Sequence, residues 1–216
     1  RNIKSISQTQ ELTSRIKNLF KDNNYPILID EEGGRVSRLG MFIDNSILSS
    51  DFFSKLYKKN KKKFYIYYDV YVKQISYLLN LLGININNVP VLDVMRKSTH
   101  KIIGNRSFSS DPLIVSKLGK FCIDKFHKNH IATVIKHIPG HGLSKVDSHK
   151  KLPIVSKDIK YLNKIDFYPF KKQKSLLAMT AHIVFSSLDK ENAVTHSKKI
   201  INIIRKKIFF KNLIMS

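Results

Sequence analysis

The sequence predicts an α/β protein, with a parallel sheet and crossover helices, from three observations. Short apolar runs rich in Ile, Leu and Val end abruptly in a polar residue, as strands buried on both faces do. Longer segments compatible with helices lie between these runs. Strand, loop and helix therefore alternate along the chain, which favours parallel pairing. The predicted strands are PILID (26–30), VPVLD (89–93), IATVIKH (131–137), LLAMTAH (176–182) and NLIMS (212–216).

The segments between these runs carry capping signals at their ends. The first opens with Ser and Thr residues suited to an N-cap and has Glu11 in an early-helix position. The second ends in Gly83, a frequent helix terminator. The third begins with Asp111 and Pro112, a favourable cap and first-turn pair. The predicted helices are residues 7–23, 63–83, 111–130 and 195–210.

Length and composition indicate one globular domain spanning residues 1–216. With 216 residues and 42% hydrophobic content, the chain can bury a substantial core. A single cysteine, Cys122, excludes an internal disulfide framework and fits a reducing compartment. The sequence has no apolar run near the roughly 20 residues that span a bilayer, and its first residues lack a secretory signal. We therefore expect a cytoplasmic protein without a membrane partner, although the absence of an initiator Met suggests that the true N-terminus is missing.

Net charge is the most extreme global property. Lys and Arg number 39 against 16 Asp and Glu, which gives a net charge of +23. This charge fits a binder of nucleic acid or of an anionic surface, and it equally fits a compositional bias spread over solvated faces. The densest basic cluster is YKKNKKKFYIYYDVYVK at 57–73, and its lysines precede an apolar and aromatic stretch, Phe64 to Leu82, that resembles a packing face. Without a recognisable nucleic-acid-binding motif, a nucleic-acid partner is the less favoured alternative.

The polar residues at the predicted strand ends indicate where a ligand would bind. Both a (β/α)8 barrel and a doubly wound sheet place ligands at the carboxyl ends of strands. The sequence contains neither GxGxxG nor GxxxxGK[ST], which disfavours nucleotide-binding sheets and gives no reason to expect a cofactor. In IDEEGGRVSRL (29–39), Gly-Gly permits a sharp turn, so Asp30, Arg35 and Arg38 could face one cavity. A surface cluster of ion pairs is an equal alternative.

The stretch KHIPGHGLSKVDSHKKLP (136–153) concentrates ionisable and chain-bending residues. Lys136 and His137 close a predicted strand, and the Pro and Gly residues that follow disfavour a helix, which argues against a metal site at the two nearby histidines. Asp147 and His149, at i and i+2 of an extended segment, would point the same way. A carboxylate beside an imidazole favours its protonated form, as a general acid/base requires. A purely structural Asp–His hydrogen bond remains open.

A second loop contributes another candidate. In IIGNRSFSSDP (102–112), Arg106 lies among small polar residues just before a predicted helix start. An arginine in such a loop can point into a pocket, and it can also simply be solvated.

In chain order, these motifs resemble the β-N-acetylhexosaminidases of glycoside hydrolase family 3, bacterial enzymes of peptidoglycan recycling. The resemblance covers essentially the whole chain, and the KH…PGHG…DSH run is specific to that branch. The motifs that carry it are IDEEGGRVSRL, NVPVLDV, IGNRSFSSDP, KHIPGHGLSKVDSH with KLP after it, MTAHIVF and KIINIIRKKIFFKNLIMS.

The resemblance implies a (β/α)8 barrel and removal of terminal, non-reducing N-acetyl-β-glucosamine residues from peptidoglycan fragments with retention of configuration. It implies that His149 is the catalytic acid/base and Asp147 its partner. It also implies five sugar-binding residues and neither metal nor cofactor. These five are Asp30, Arg38, Arg106, Lys136 and His137.

The chain departs from the family at both ends. The family's nucleophile is an aspartate directly after the strand that reads NLIMS, and the chain stops at Ser216. The first strand, expected before RNIKS, and the last strands and helices are also absent. We therefore expect an incomplete, poorly stable barrel that does not hydrolyse glycosides by itself. A non-catalytic, sugar-binding relic is the main alternative.

Overall fold

The computed structural model describes residues 3–146 and 152–216 and confirms the α/β class. Within these residues the strands are β1 (Leu28–Ile29), β2 (Ile86–Asn87), β3 (Ala132–Ile138), β4 (Ile154–Val155), β5 (Leu177–Thr180), β6 (Val184–Phe185) and β7 (Leu213–Met215). The α-helices are α1 (Ile6–Phe20), α2 (Ser50–Lys59), α3 (Lys61–Leu81), α4 (Pro112–Lys128), α5 (Ile159–Lys164) and α6 (Lys198–Ile203). Short 3-10 turns lie at Gly104–Arg106, Tyr168–Phe170 and Val194–His196, and a π-helical turn, Ile204–Ile208, continues α6.

The main sheet has five strands in the order β1-β2-β3-β5-β7, and every neighbouring pair is parallel. Strands β4 and β6 form a separate parallel pair. Along the chain, each new strand of the main sheet lies on the same side of the strand before it. In a doubly wound sheet, by contrast, the direction in which strands are added reverses once. Consecutive parallel strands that are also neighbours in space, without a reversal of order, are the arrangement found in the wall of a (β/α)8 barrel. Among the described residues, β1 and β7 lie at the two open edges of the sheet.

Helices connect the successive strands, and several begin and end where the capping signals predict. Asp111 caps α4, and its side chain accepts a hydrogen bond from the backbone N–H of Leu113. Gly83 follows α3 with a positive φ of 72°. The first helix begins earlier than predicted, because Ser5 caps it, and Glu11 therefore lies beyond the first turn. No helix in the described part of the chain combines the length and apolarity needed to cross a bilayer.

The predicted packing face of α3 is buried and forms a large part of the core. Phe64, Val72, Ile75 and Leu79 are fully inaccessible to solvent. Full burial of one such side chain contributes about 2 kcal/mol. Aromatic rings of α2 and α4 pack against this face, including Phe53, whose ring is 4.7 Å from that of Tyr68. This packing holds α2 and α4 against α3.

One predicted strand is confirmed only in part. The ladder at the second strand involves Ile86–Asn87, and of VPVLD (89–93) only Val91 pairs, in an isolated parallel bridge with Lys136. Pro90 lacks the N–H that a regular ladder needs. The run still lies beside β3, because the Pro90 carbonyl accepts from the Lys136 N–H at 3.1 Å and Leu92 donates to the Lys136 carbonyl at 2.7 Å. The sequence patterns also gave no sign of α2, α5, β4 or β6.

Candidate active site

A cleft of about 920 Å³ opens at the carboxyl ends of the parallel strands. Asp30 follows β1, Lys136 and His137 belong to the end of β3, and His182 follows β5. Because all strands of the main sheet run in one direction, residues distant in sequence meet at this edge. The five predicted sugar-binding residues all line the cleft, namely Asp30, Arg38, Arg106, Lys136 and His137.

Four charged side chains form a connected network at the cleft. The Lys136 Nζ lies 2.9 Å from Asp30 Oδ1 and 2.6 Å from Glu32 Oε1. Arg106 donates to Glu32 through Nε at 2.7 Å and through Nη2 at 2.8 Å, a bidentate arrangement. The side chains of Lys136 and Glu32 are each 3% exposed, whereas that of Asp30 is 39% exposed. Asp30 is therefore the member of the network that is most accessible from solvent.

The electrostatic environment keeps this network ionised. Burial acts to raise the pKa of Glu32, but the charges and hydrogen bonds of Lys136 and Arg106 lower it below its ordinary value. The pKa of Asp30 is lowered in the same way, mainly by Lys136 acting against burial. Burial alone would lower the pKa of Arg106, but Glu32 raises it. At neutral pH both carboxylates are therefore ionised, and the Arg106 guanidinium is charged.

A second buried carboxylate holds the His137 ring. Asp93 is fully buried, and its Oδ2 lies 2.6 Å from His137 Nδ1. Its Oδ1 accepts the backbone N–H of His141 at 2.6 Å. Burial opposes ionisation of Asp93, but the nearby His137 lowers the pKa of Asp93 below its usual value. With Nδ1 facing a carboxylate, His137 keeps Nε2 for other partners.

His141 also lines the cleft, and it is almost completely buried at 3% exposure. Burial lowers the pKa of His141 to about 4, so its imidazole is neutral at pH 7. Its ring centroid lies 5.6 Å from that of His137. The two histidines do not form the helical pair that would suit a metal, because Pro139 and Gly140 separate them outside any helix.

The turn after β1 is shaped by Glu31, whose role differs from that of Glu32. The Glu31 carboxylate accepts the backbone N–H groups of Arg38 and Leu39 at 2.7 and 2.9 Å and the Asn45 amide at 2.6 Å. These bonds fold residues 31–45 back on themselves and bring Arg38 to the cleft. The expectation that Arg35 faces the same cavity is wrong. Its guanidinium instead donates to the carbonyls of residues 101–103 and to Asn105.

Gly33 is required by the same turn, and Gly33→Ala is expected to destabilise the protein by about 2 kcal/mol or more. Gly33 has φ +79°, and a Cβ there would lie 2.4 Å from the Leu48 carbonyl oxygen and 2.5 Å from the Tyr71 hydroxyl. Urea unfolding measures the change. Gly40→Ala is the matched control, because a Cβ at Gly40 has no neighbour nearer than 3.9 Å. Equal unfolding midpoints for the two variants would contradict this prediction.

Arg96 and Asp166 flank the start of the segment that follows β3. Arg96 Nη2 lies 2.6 Å from Asp166 Oδ2, and burial raises the pKa of Asp166 to about 6. Gly140 packs against Asp166, and Gly142 packs against the Val94 carbonyl and Arg96, with no room for a side chain at either position. Residues 139–146 are thereby held at one side of the cleft.

Asp147 and His149, the predicted acid/base pair, lie outside the described residues, so their roles stay predictions. Arg106 lies in a 3-10 turn and is ion-paired within the cleft. Sequence reasoning missed Glu32 and Asp93 as parts of the site. The sequence signal was that Glu32 lies just after an apolar run and Asp93 lies at the end of one. Such a position does not reveal which side chains these carboxylates contact.

Comparison with known proteins defines the class of protein to which this fold and cleft belong. Residues 1–216 match the glycosyl hydrolase family 3 N-terminal domain over their full length. The chain belongs to this family.

Among individual relatives, the chain is 30% identical over 223 residues to a beta-hexosaminidase of Hydrogenovibrio crunogenus, covering 100% of this chain and 60% of that protein. It is 33% identical over 201 residues to beta-hexosaminidase A of Pseudoalteromonas piscicida, covering 89% of this chain and 33% of that protein. The structure is similar to that of NagZ from Neisseria gonorrhoeae in complex with N-trifluoroacetyl-D-glucosamine, with a TM-score of 0.87, 29% identity and coverage of 100% and 64%. The chain therefore spans at most about two thirds of these relatives.

Proposed function

We propose that the cleft binds a terminal, non-reducing N-acetyl-β-glucosamine residue, and that the protein is a glycosidase acting on peptidoglycan fragments with retention of configuration. The observation that carries this proposal is the charged network of Asp30, Glu32, Arg106 and Lys136 at the carboxyl edge of the sheet. In this network, N–H groups of Lys136 and Arg106 and the partly exposed carboxylate of Asp30 are available to a ligand rich in hydroxyl groups.

A count of hydrogen-bond donors supports a polyol ligand. An ammonium group has three N–H donors, and Asp30 and Glu32 accept two of those of Lys136. A guanidinium group has five, of which Glu32 accepts two from Arg106 and the Ile102 carbonyl accepts a third. Within residues 3–146 and 152–216, one donor of Lys136 and two of Arg106 remain without an acceptor. Sugar hydroxyls would satisfy them.

The balance of charge argues for a neutral group at this position. The charges of Lys136 and Arg106 are offset by those of Asp30 and Glu32, so the network carries no excess positive charge that would favour phosphate or carboxylate. Arg38 makes no salt bridge among the described residues, although its charge helps to lower the pKa of Asp30, and it is an exposed residue of the cleft lining. A neutral sugar at the network, with an acidic remainder of the substrate near Arg38, fits this distribution of charge.

The resemblance to family 3 β-N-acetylhexosaminidases supports the assignment of chemistry. Retaining hydrolysis needs an acid/base and a nucleophile on opposite faces of the sugar. We assign the proton donor to His149, tuned by Asp147, and the nucleophile to the aspartate that follows NLIMS in the family. The ligand named for NagZ from Neisseria gonorrhoeae, N-trifluoroacetyl-D-glucosamine, is a 2-amido sugar of the kind we propose. We assign the activity to the cytoplasm, in keeping with the free, buried Cys122.

Calorimetric titration and hydrolysis assays test the proposal with the product of the complete coding sequence. We expect saturable binding of N-acetylglucosamine, weaker binding of glucose, and release of N-acetylglucosamine from a nitrophenyl β-glycoside and from a disaccharide–peptide fragment of peptidoglycan. Proton NMR of the first product formed should show the β-anomer, because retention requires two inversions at the anomeric carbon. Binding without turnover would replace the glycosidase with a sugar-binding relic. Absence of both binding and turnover would reject the proposal.

A further inference from the structure

Glu32 occupies a position from which it can reach both cations of the network. It lies three residues after the end of β1 at Ile29, and its backbone N–H donates to the Val36 carbonyl at 2.9 Å, which closes the turn around Gly33 and Gly34. The positive φ values of both glycines, +79° and +60°, hold this turn close to the body of the protein. The Glu32 side chain is directed inward and is only 3% exposed.

Both carboxylate oxygens of Glu32 are already used. Oε1 lies 2.6 Å from Lys136 Nζ and 2.8 Å from Arg106 Nη2, and Oε2 lies 2.7 Å from Arg106 Nε. Glu32 therefore joins a cation from the end of β3 to one from the 3-10 turn before α4. Glu32 is among the residues that line the cleft, but its near-complete burial and its three short contacts with cations leave it poorly placed to contact a ligand.

Asp30 has a different role within the network. Its side chain is 39% exposed, and it contacts Lys136 but not Arg106. Without Glu32, Asp30 would be the sole carboxylate in the network, and the Arg106 guanidinium would lose its bidentate partner. The two cations would then repel one another and lose their fixed orientation.

We infer that Glu32 is a positioning residue that sets the Lys136 ammonium and the Arg106 guanidinium at the spacing that recognises the sugar hydroxyls. The inference rests on the proposed function, because it concerns how the same cleft recognises its sugar. Glu32 acts through Lys136 and Arg106 and does not touch the sugar. Its loss weakens binding although both ligand-contacting side chains remain present.

Glu32→Gln tests the inference, measured as the dissociation constant for N-acetylglucosamine by calorimetry with the product of the complete coding sequence. The amide removes the negative charge and places an N–H group opposite one of the cations, so we expect binding to weaken at least tenfold. Glu32→Asp keeps the charge but is one methylene shorter, and we expect it to fold like the parent and recover part of the lost affinity. Glu11→Gln is the control, because Glu11 is 72% exposed on α1, and we expect parent-like binding.

A double-mutant cycle separates positioning from general destabilisation. If Glu32 acts through Arg106, Glu32→Gln combined with Arg106→Gln weakens binding by less than the product of the two single effects. A purely structural role would instead lower the unfolding midpoint while binding of the folded protein stayed unchanged. If Glu32→Gln does not fold, Glu32→Asp and its combination with Arg106→Gln complete the cycle.

The outcomes distinguish this inference from the function on which it rests. A parent that binds the sugar, with Glu32→Gln and Glu32→Asp both within twofold of it, overturns the positioning role and leaves the proposed function intact. Independent, multiplying effects of Glu32 and Arg106 overturn it as well. A parent that binds no N-acetylglucosamine overturns both the proposed function and this inference.

Discussion

Lys136→Met is expected to weaken N-acetylglucosamine binding by about a hundredfold, which corresponds to about 3 kcal/mol. The ammonium is the only group that contacts both Asp30 and Glu32 among the described residues, and its side chain is 3% exposed. Methionine retains the length of the stem but removes the charge, so two nearby carboxylates lose their shared partner. Removal of one partner from a buried ion pair costs about 3–5 kcal/mol, so the unfolding midpoint should also fall.

Calorimetry and urea unfolding, both at a temperature where the variant is folded, measure these two effects separately. Lys120→Met is the matched control, because it removes a lysine paired to Asp124 on the exposed surface of α4, where the Lys120 side chain is 59% exposed. We expect that control to change stability by no more than about 0.5 kcal/mol and to leave binding unchanged. Parent-like sugar binding by Lys136→Met would remove Lys136 from the site.

His149→Ala is expected to reduce kcat/KM about 10²–10⁴-fold for substrates with an alcohol leaving group, because such a group must be protonated as it departs. A nitrophenyl glycoside releases a weakly basic phenolate and needs little help from an acid, so its kcat/KM should fall less than tenfold. The quantity to determine is therefore the fold-loss in kcat/KM for the substrate with an alcohol leaving group, divided by the fold-loss for the nitrophenyl glycoside. It depends on proton donation and is insensitive to a loss of folded protein, which would lower both rates equally.

His130→Ala provides the control for this comparison, because His130 is exposed in the turn between α4 and β3. We expect both substrates to be hydrolysed at parent rates by this variant. Equal losses on the two substrates in His149→Ala would assign His149 a structural role. Asp147→Asn should reproduce the same selectivity in weaker form if Asp147 favours the protonated imidazole.

Much of the architecture could be read from local pattern. Buried strands leave continuous apolar runs, and a cap such as Asp111 is satisfied by residues next to it in sequence. The class of fold, most strand positions and the cap of α4 are therefore confirmed. VPVLD has an apolar pattern as good as that of a strand, but it pairs with β3 only at Val91, because Pro90 has no N–H to donate to a longer ladder.

The residues of the cleft also differ in whether local sequence or tertiary structure determines their place. The strand-end pattern placed Asp30, Lys136 and His137 at one edge of the predicted sheet, and the resemblance to family 3 implied that they bind the sugar. The local pattern did not distinguish Arg35 from Arg38, and only the resemblance singled out Arg38. In the structure, Glu31 directs Arg38 to the cleft while nearby carbonyls hold Arg35 away from it. The identity of the acid/base pair stays a prediction from resemblance.

By itself the sequence determined the α/β alternation, the polar strand ends and the resemblance to family 3, because each depends on residues close together in the chain. Tertiary structure alone decided that Glu31 stabilises a turn while its neighbour Glu32 joins the two cations of the cleft. The partners of Glu32 lie 74 residues away at Arg106 and on β3 at Lys136, which also reaches Asp30 across 106 residues. Interactions over such separations arise only when the parallel sheet brings its strand ends together, so adjacent glutamates of identical chemistry acquire different roles.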